Sequence, residues 1–228
     1  MINNLVALNW SILKSQRARY MLVVVVAFFV GCMYSPIAVV ISCVGFSIVS
    51  PTKLFAIEEN GGLLNQYLAL PVDRKAVVTS RYVLSLIIMG VGIVSGLMLT
   101  VLANRVFFSM NLFGTIAWHL TLRQMIFIAA LSVLLYSVYN LAMYPLLFKL
   151  GYINGRFFGF GVQLLFALVV IGVLQLTIKY DGGSLLFLLL EQARMHVPLV
   201  IVAMALTSVA FLLLSYSLST RAFLHRDM

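Results

Sequence analysis

The stretch Phe55–Tyr82 reads FAIEENGGLLNQYLALPVDRKAVVTSRY, an island of charge and turn residues set between long apolar runs. Two acids, Glu58 and Glu59, lead into a Gly61-Gly62 turn. A short amphipathic piece from Leu63 to Leu70 follows and is stopped by Pro71, and the chain restarts at Asp73 with Arg74, Lys75 and Arg81 close behind. Leu63, Leu64, Tyr67 and Leu68 fall at i, i+1, i+4 and i+5, which gathers them on one helical face. Such a face fits a hydrophobic groove on a partner protein. It fits a lipid surface equally well. A chain that merely packed against lipid would have no use for so polar an interruption, so the stretch is expected to be a cytoplasmic docking element. Glu58 and Glu59 sit near the C-terminal end of a preceding helix, where the dipole disfavours acids. Arg74, Lys75 and Arg81 are the nearest compensating charges in sequence. An ion-paired cluster would join the flanking helices to the loop as one lever, whereas two solvated acids would add little stability.

The runs on either side set the fold class. The 228-residue chain is 63% hydrophobic and 9% charged, with a mean hydropathy of +1.11, more apolar surface than one soluble core can hide. The expectation is an all-α polytopic membrane protein, one transmembrane domain over 1–228, because the runs are too long and too uniformly apolar for the alternation of a barrel. The formal net charge of +9 comes from short segments between those runs. Orientation and anionic lipid account for it there, and nucleic acid is excluded as a partner. Cys32 and Cys43 fall inside apolar runs and read as small buried hydrophobes.

Taken in order, residues 3–19 form an amphipathic helix, with Leu5, Leu8, Ile12 and Leu13 about a turn apart and Trp10 among them, suited to the membrane interface. It lacks the form of a cleaved leader. Six spans are expected at about 20–33, 37–56, 77–103, 125–148, 157–178 and 197–219, with the docking loop at 57–76. Asp73 is placed to cap the third span, and Gly92 and Gly96 in it make a GxxxG pair that allows close helix approach. Residues 104–124, with Phe107, Phe108, Phe113 and Trp118, resemble an interfacial aromatic belt. In the fourth span Tyr136, Asn140 and Tyr144 recur every four residues, and Gln163 lies in the fifth. This stripe suits a substrate path or, as readily, hydrogen bonds between helices. Lys149–Arg156 is a short basic turn, and Ser184–Met195 is too short to span.

Orientation follows from charge. With six spans, Lys14, Arg17, Arg19, Lys53, Arg74, Lys75, Arg81, Lys149, Arg156, Arg221 and Arg226 share one side, against Arg105, Arg123, Lys179 and Arg194 on the other. That imbalance puts both termini and the docking loop in the cytoplasm.

Sites of chemistry are not legible. The sequence contains no GxxxxGK[ST] loop, HExxH helix, CxxC pair or GxSxG elbow, and His119, His196 and His225 are far apart. All six acids, Glu58, Glu59, Asp73, Asp181, Glu191 and Asp227, fall in connections or the tail. An ion-coupled carrier would bury a carboxylate near midplane, so an external motor is the better source of energy. A membrane scaffold or immunity protein that binds peptides without turnover is the other alternative.

Two motifs carry a resemblance. Glu58-Glu59-Asn60, Tyr67-Leu68-Ala69-Leu70-Pro71-Val72-Asp73-Arg74-Lys75, Val77-Val78 and Ser80-Arg81-Tyr82 resemble the E/DE…LLSLPxSRKxIVxSKY signature of small six-span ABC exporter permeases of the ABC-2 type, including those of phenol-soluble-modulin and related bacterial peptide exporters. Pro145 to Arg156, PLLFKLGYINGR, is similar to that family's PLxFKFGYxxAR turn. Asp73 stands where Ser is usual and Gly155 where Ala is usual. The resemblance implies a dimeric permease, homo- or heteromeric, in a bacterial cytoplasmic membrane, driven by a separate cytoplasmic ATPase that holds the ATP and Mg. Leu63–Arg81 would then be the main ATPase-coupling element, with Glu58, Glu59, Leu63, Leu64, Tyr67, Leu68, Pro71, Arg74, Lys75 and Arg81 as its residues. Lys149, Gly151, Tyr152 and Arg156 would make a second cytoplasmic contact. The substrate would be an amphipathic or antimicrobial peptide, and Tyr136, Asn140, Tyr144 and Gln163 are candidates for its path.

Overall fold

The computed structural model describes residues 2–14, 54–57, 59, 73–110, 122–179 and 197–225, together with Val25 and Gly45. They form four long helices with no strand among them: α1 (Ile2–Lys14), α2 (Arg74–Met110), α3 (Leu122–Lys179) and α4 (Val197–Leu224). Among the described residues three segments are long and apolar enough to cross a membrane, Arg74–Leu102, Met125–Ile153 and Pro198–Leu224. These overlap the segments expected as the third, fourth and sixth spans. The first two expected spans, 20–33 and 37–56, lie outside the described residues except at 25, 45 and 54–56, as do most of the loop 57–76 and the segment Ser184–Met195.

Helix α2 starts where the sequence places its cap. The Lys75 amide donates to Asp73 Oδ1 at 3.1 Å, and the Asp73 carbonyl accepts from the Ala76 and Val77 amides, an N-cap worth about 1 kcal/mol. With 37 residues it is about 55 Å long at 1.5 Å per residue, well beyond the roughly 30 Å of hydrocarbon. The helix continues through Met110 rather than ending at 103, because 104–110 hold neither Pro nor Gly to stop it. Some hydroxyls inside the spans bond back to their own helix, as Thr100 Oγ1 does to the Gly96 carbonyl at 2.9 Å and Ser132 Oγ to that of Ile128 at 2.8 Å. No polar atom of these side chains is then left to lipid.

Helix α3 is a hairpin. Its helical backbone is continuous but for Gly151, at φ 74° and ψ −175°, a conformation open essentially to glycine alone. A Cβ added at Gly155 would lie 3.3 Å from Leu147 Cδ2 and 4.0 Å from Leu147 Cα, although a straight helix separates positions eight apart by about 12 Å. The chain therefore folds back on itself at Gly151, giving an outgoing arm that ends at Leu150 and a return arm that starts at Tyr152. The expected basic turn of 149–156 is in fact one residue wide. The fifth expected span, 157–178, is helical backbone within the return arm.

Helix α4 packs chiefly on α3 and also on α2, and α1 packs along α2. In α1, Leu5 and Asn9 are buried whereas Leu8 and Trp10 are exposed, so the face turned to the bundle is half polar and the Trp side is left for the interface. The core lies where α2, α3 and α4 meet and is built largely of aromatic rings: Phe55, Tyr82, Tyr139, Tyr144, Phe148 and Phe223.

Candidate functional site

Four stretches distant in sequence meet at one end of the bundle. They are the segment before the loop (Phe55–Glu59), the start of α2 (Asp73–Tyr82), the α3 turn (Tyr144–Ile153) and the end of α4 (Tyr216–His225). Aromatic side chains hold them together. Phe148 in α3 has its ring centroid 4.9 Å from that of Phe55 and 5.4 Å from that of Phe223 in α4. Tyr82 in α2 lies 4.8 Å from Tyr144 and 5.4 Å from Tyr216.

Into this cluster α2 inserts a cation. Arg81 is 2% exposed, and its guanidinium carbon stands 4.1 Å from the Phe55 ring centroid and 5.3 Å from that of Phe148. A planar cation beside this edge-to-face pair is held by the ring quadrupoles, by about 2 kcal/mol when desolvated. Arg81 thus joins the helix before the loop, the helix after it and the α3 turn.

Two further charges reach helix ends of the opposite polarity. Glu59 Oε2 accepts the Ile153 amide at 2.7 Å, at the start of the return arm, where the first amides have no intrahelical acceptor. Arg74 Nη1 donates to the Leu224 carbonyl at 3.4 Å, in the last turn of α4. A carboxylate at a helix N-terminus and a guanidinium at a C-terminus both match the dipole. The acid near the loop thus answers to a helix terminus, a partner that sequence proximity did not suggest.

A polar seam continues from this end toward the middle of the bundle. Tyr82 OH lies 2.6 Å from Ser215 Oγ and 2.8 Å from Ser219 Oγ, and Ser215 Oγ donates to the Asn140 carbonyl at 3.0 Å. Tyr136 OH donates to the Ser85 carbonyl at 2.9 Å and pairs with Ser85 Oγ at 2.7 Å. Asn140 Nδ2 reaches Ser85 Oγ at 3.4 Å, and its buried Oδ1 has no hydrogen-bond partner among the described residues. Tyr136 and Asn140 therefore connect helices, and Tyr144 is buried in the aromatic cluster.

The structure thus places Glu59, Arg74, Arg81, Gly151 and Tyr152 together, with Lys75 and Lys149 exposed nearby. Glu58, Leu63, Leu64, Tyr67, Leu68 and Pro71, and the side chains of Arg156 and Gln163, lie outside the described residues. Sequence reasoning missed Phe55, Phe148, Tyr216, Phe223 and the serines of α4. Ser208, Ser215 and Ser219, all buried, recur at seven and four residues, a helical stripe that could have marked the packed face. No group of three metal-ligating side chains exists among the described residues, and what the arrangement offers is mechanical connection.

A family model described as ABC-2 family transporter protein matches residues 4–223. No curated protein and no solved structure matches the chain. Proteins of this family are membrane permease subunits, with ATP hydrolysis residing in a partner. With nearly its whole length covered by that model, the chain belongs to the ABC-2 family of transporter proteins.

Proposed function

We propose that this permease exports amphipathic or antimicrobial peptides as one half of a dimer, with loop 57–76 and the α3 turn seated on a cytoplasmic ABC ATPase that binds the ATP and Mg. It lies in a bacterial cytoplasmic membrane with both termini inside. One observation carries the reading: both flanks of the loop converge on the α3 turn, and the second also reaches the end of α4. Phe55 and Arg81 stack with Phe148 of α3, Glu59 caps the return arm, and Arg74 holds the end of α4. A force on the loop would be delivered to α2, α3 and α4 together, as a motor outside the membrane requires.

The test is reconstitution of the full chain in vesicles with its partner ABC ATPase. Leu64→Asp and Tyr67→Asp are expected to abolish stimulation of ATP hydrolysis while the protein still inserts. Stimulation equal to wild type in both variants would sink the docking role. For the cargo, ATP-dependent uptake of a labelled amphipathic helical peptide into inverted vesicles is expected, and uptake that persists without ATP refutes it.

A further inference from the structure

The segment 55–59 touches both arms of the α3 hairpin. Phe55 packs edge-on against Phe148 of the outgoing arm, and one helical turn later Glu59 accepts the Ile153 amide of the return arm. Gly151, with its φ of 74°, lies between these attachment points. The segment is therefore a strap across the fold-back, and it runs directly into the docking loop of 57–76.

The two attachments differ in kind. A ring contact is non-directional and tolerates sliding, whereas a hydrogen bond weakens steeply with angle. The Ile153 amide is available because the turn at Gly151 leaves the first amides of the return arm without carbonyls one turn back. A carboxylate there makes a charge-assisted bond, stronger than a neutral one. When the strap shifts, the ring contact slides and the cap releases, so the return arm can swing about Gly151 while the outgoing arm stays packed.

We propose that Glu59 is a positioning residue that latches the return arm of α3 to the docking loop, so that displacing the loop alters the hairpin angle at Gly151. This rests on the coupling role proposed above for the loop. It adds the route by which a push reaches the membrane.

The test uses the full chain in lipid nanodiscs, with Glu59→Ala, Glu59→Gln and Ile153→Pro compared. Proline removes the donor and is tolerated in a first helical turn. Hydrogen exchange at 152–158 is expected to quicken about tenfold in Glu59→Ala, by less in Glu59→Gln, and not at all in α4, consistent with loss of one charge-assisted bond. Nitroxides at the exposed Ile126 and Leu168, one on each arm, should show a broadened distance distribution in Glu59→Ala and in Ile153→Pro. The double variant should be no broader than either single one. With the ATPase present, Glu59→Ala should move several-fold less peptide per ATP hydrolysed. Unchanged exchange and distances would overturn the latch. Altered exchange with unaltered transport per ATP would reduce it to a static cap and overturn it as well. If the wild-type chain stimulates no ATPase, the coupling reading fails, while the latch is decided by the exchange and the distances alone.

Discussion

Replacing Gly151 by alanine tests the hairpin most directly. At φ 74° and ψ −175° an L side chain is held in a region that costs about 1–3 kcal/mol. The surrounding contacts give no means of escape. Relaxing toward an ordinary helix would carry Leu147 and Gly155 from touching distance to about 12 Å apart, and would withdraw the Ile153 amide from Glu59. The strain must therefore be kept or the hairpin lost. At about 2 kcal/mol the folded-to-unfolded ratio falls roughly 30-fold. Two other glycines serve as controls. Gly161 is helical, and a Cβ there meets nothing within 4 Å, so Gly161→Ala should be neutral or stabilise by up to about 1 kcal/mol. A Cβ at Gly155 comes closest to the tip of Leu147, at 3.3 Å, with Leu150 Cβ at 3.8 Å and Leu147 Cα at 4.0 Å, and Gly155→Ala should stay within about 0.5 kcal/mol of wild type, whereas Gly155→Leu should lose about 1–3 kcal/mol to overpacking. Reversible unfolding in mixed detergent micelles, followed by tryptophan fluorescence, ranks the variants. A Gly151→Ala protein as stable as wild type would refute the sharp fold-back.

Other substitutions probe the seam and the cation. Arg81→Lys keeps the charge but loses the planar group that lies over Phe55 and Phe148, and should destabilise by about 1–2 kcal/mol in the same unfolding assay. Tyr82→Phe removes the hydroxyl set between Ser215 and Ser219 and should cost about 0.6–1.7 kcal/mol, the range for hydrogen bonds between membrane helices. Adding Ser219→Ala to it should cost almost nothing more.

Much of the layout was legible because local rules govern it. Asp73 followed by a basic restart marked the start of α2, and the hydroxyl contacts of Tyr136 bear out hydrogen bonding between helices as one of the two uses read from the four-residue stripe. What stayed hidden was the identity of partners. Arg81 sits 26 residues after Phe55 and 67 before Phe148, and no spacing rule joins a cation to rings that far away. Glu59 finds a backbone amide, which has no sequence signature at all. The single-residue turn was obscured because Lys149 and Arg156 suggested a longer polar connection, although the backbone remains helical on both sides of Gly151. In α4 apolar residues cover every face, so its orientation is written in serines rather than in hydrophobic alternation.

That last point bears on how such a bundle can move. In a bilayer, apolar contact between helices gains little, since lipid tails offer the same surroundings. Polar and aromatic contacts then decide which register is held. In the described helices the directional ones gather near the end that carries Arg81: the cation on its ring pair, the Glu59 and Arg74 contacts with helix termini, and Tyr82 on its serines. At the other end α2 exposes Met98 and Leu102, and α4 exposes Leu199, Val202 and Leu206, with only 11% of the apolar window of α4 buried. Residues that face lipid in this way are indifferent to small shifts. At 28 residues, α4 is about 42 Å long, and a tilt of about 10° imposed at its anchored end would displace its far end by about 7 Å. A firm anchor at one end and loose packing at the other is therefore the distribution that converts a small local displacement into a large one across the membrane. Had the hydrogen bonds been placed at the far end instead, they would fix the helices where their packing is now loosest.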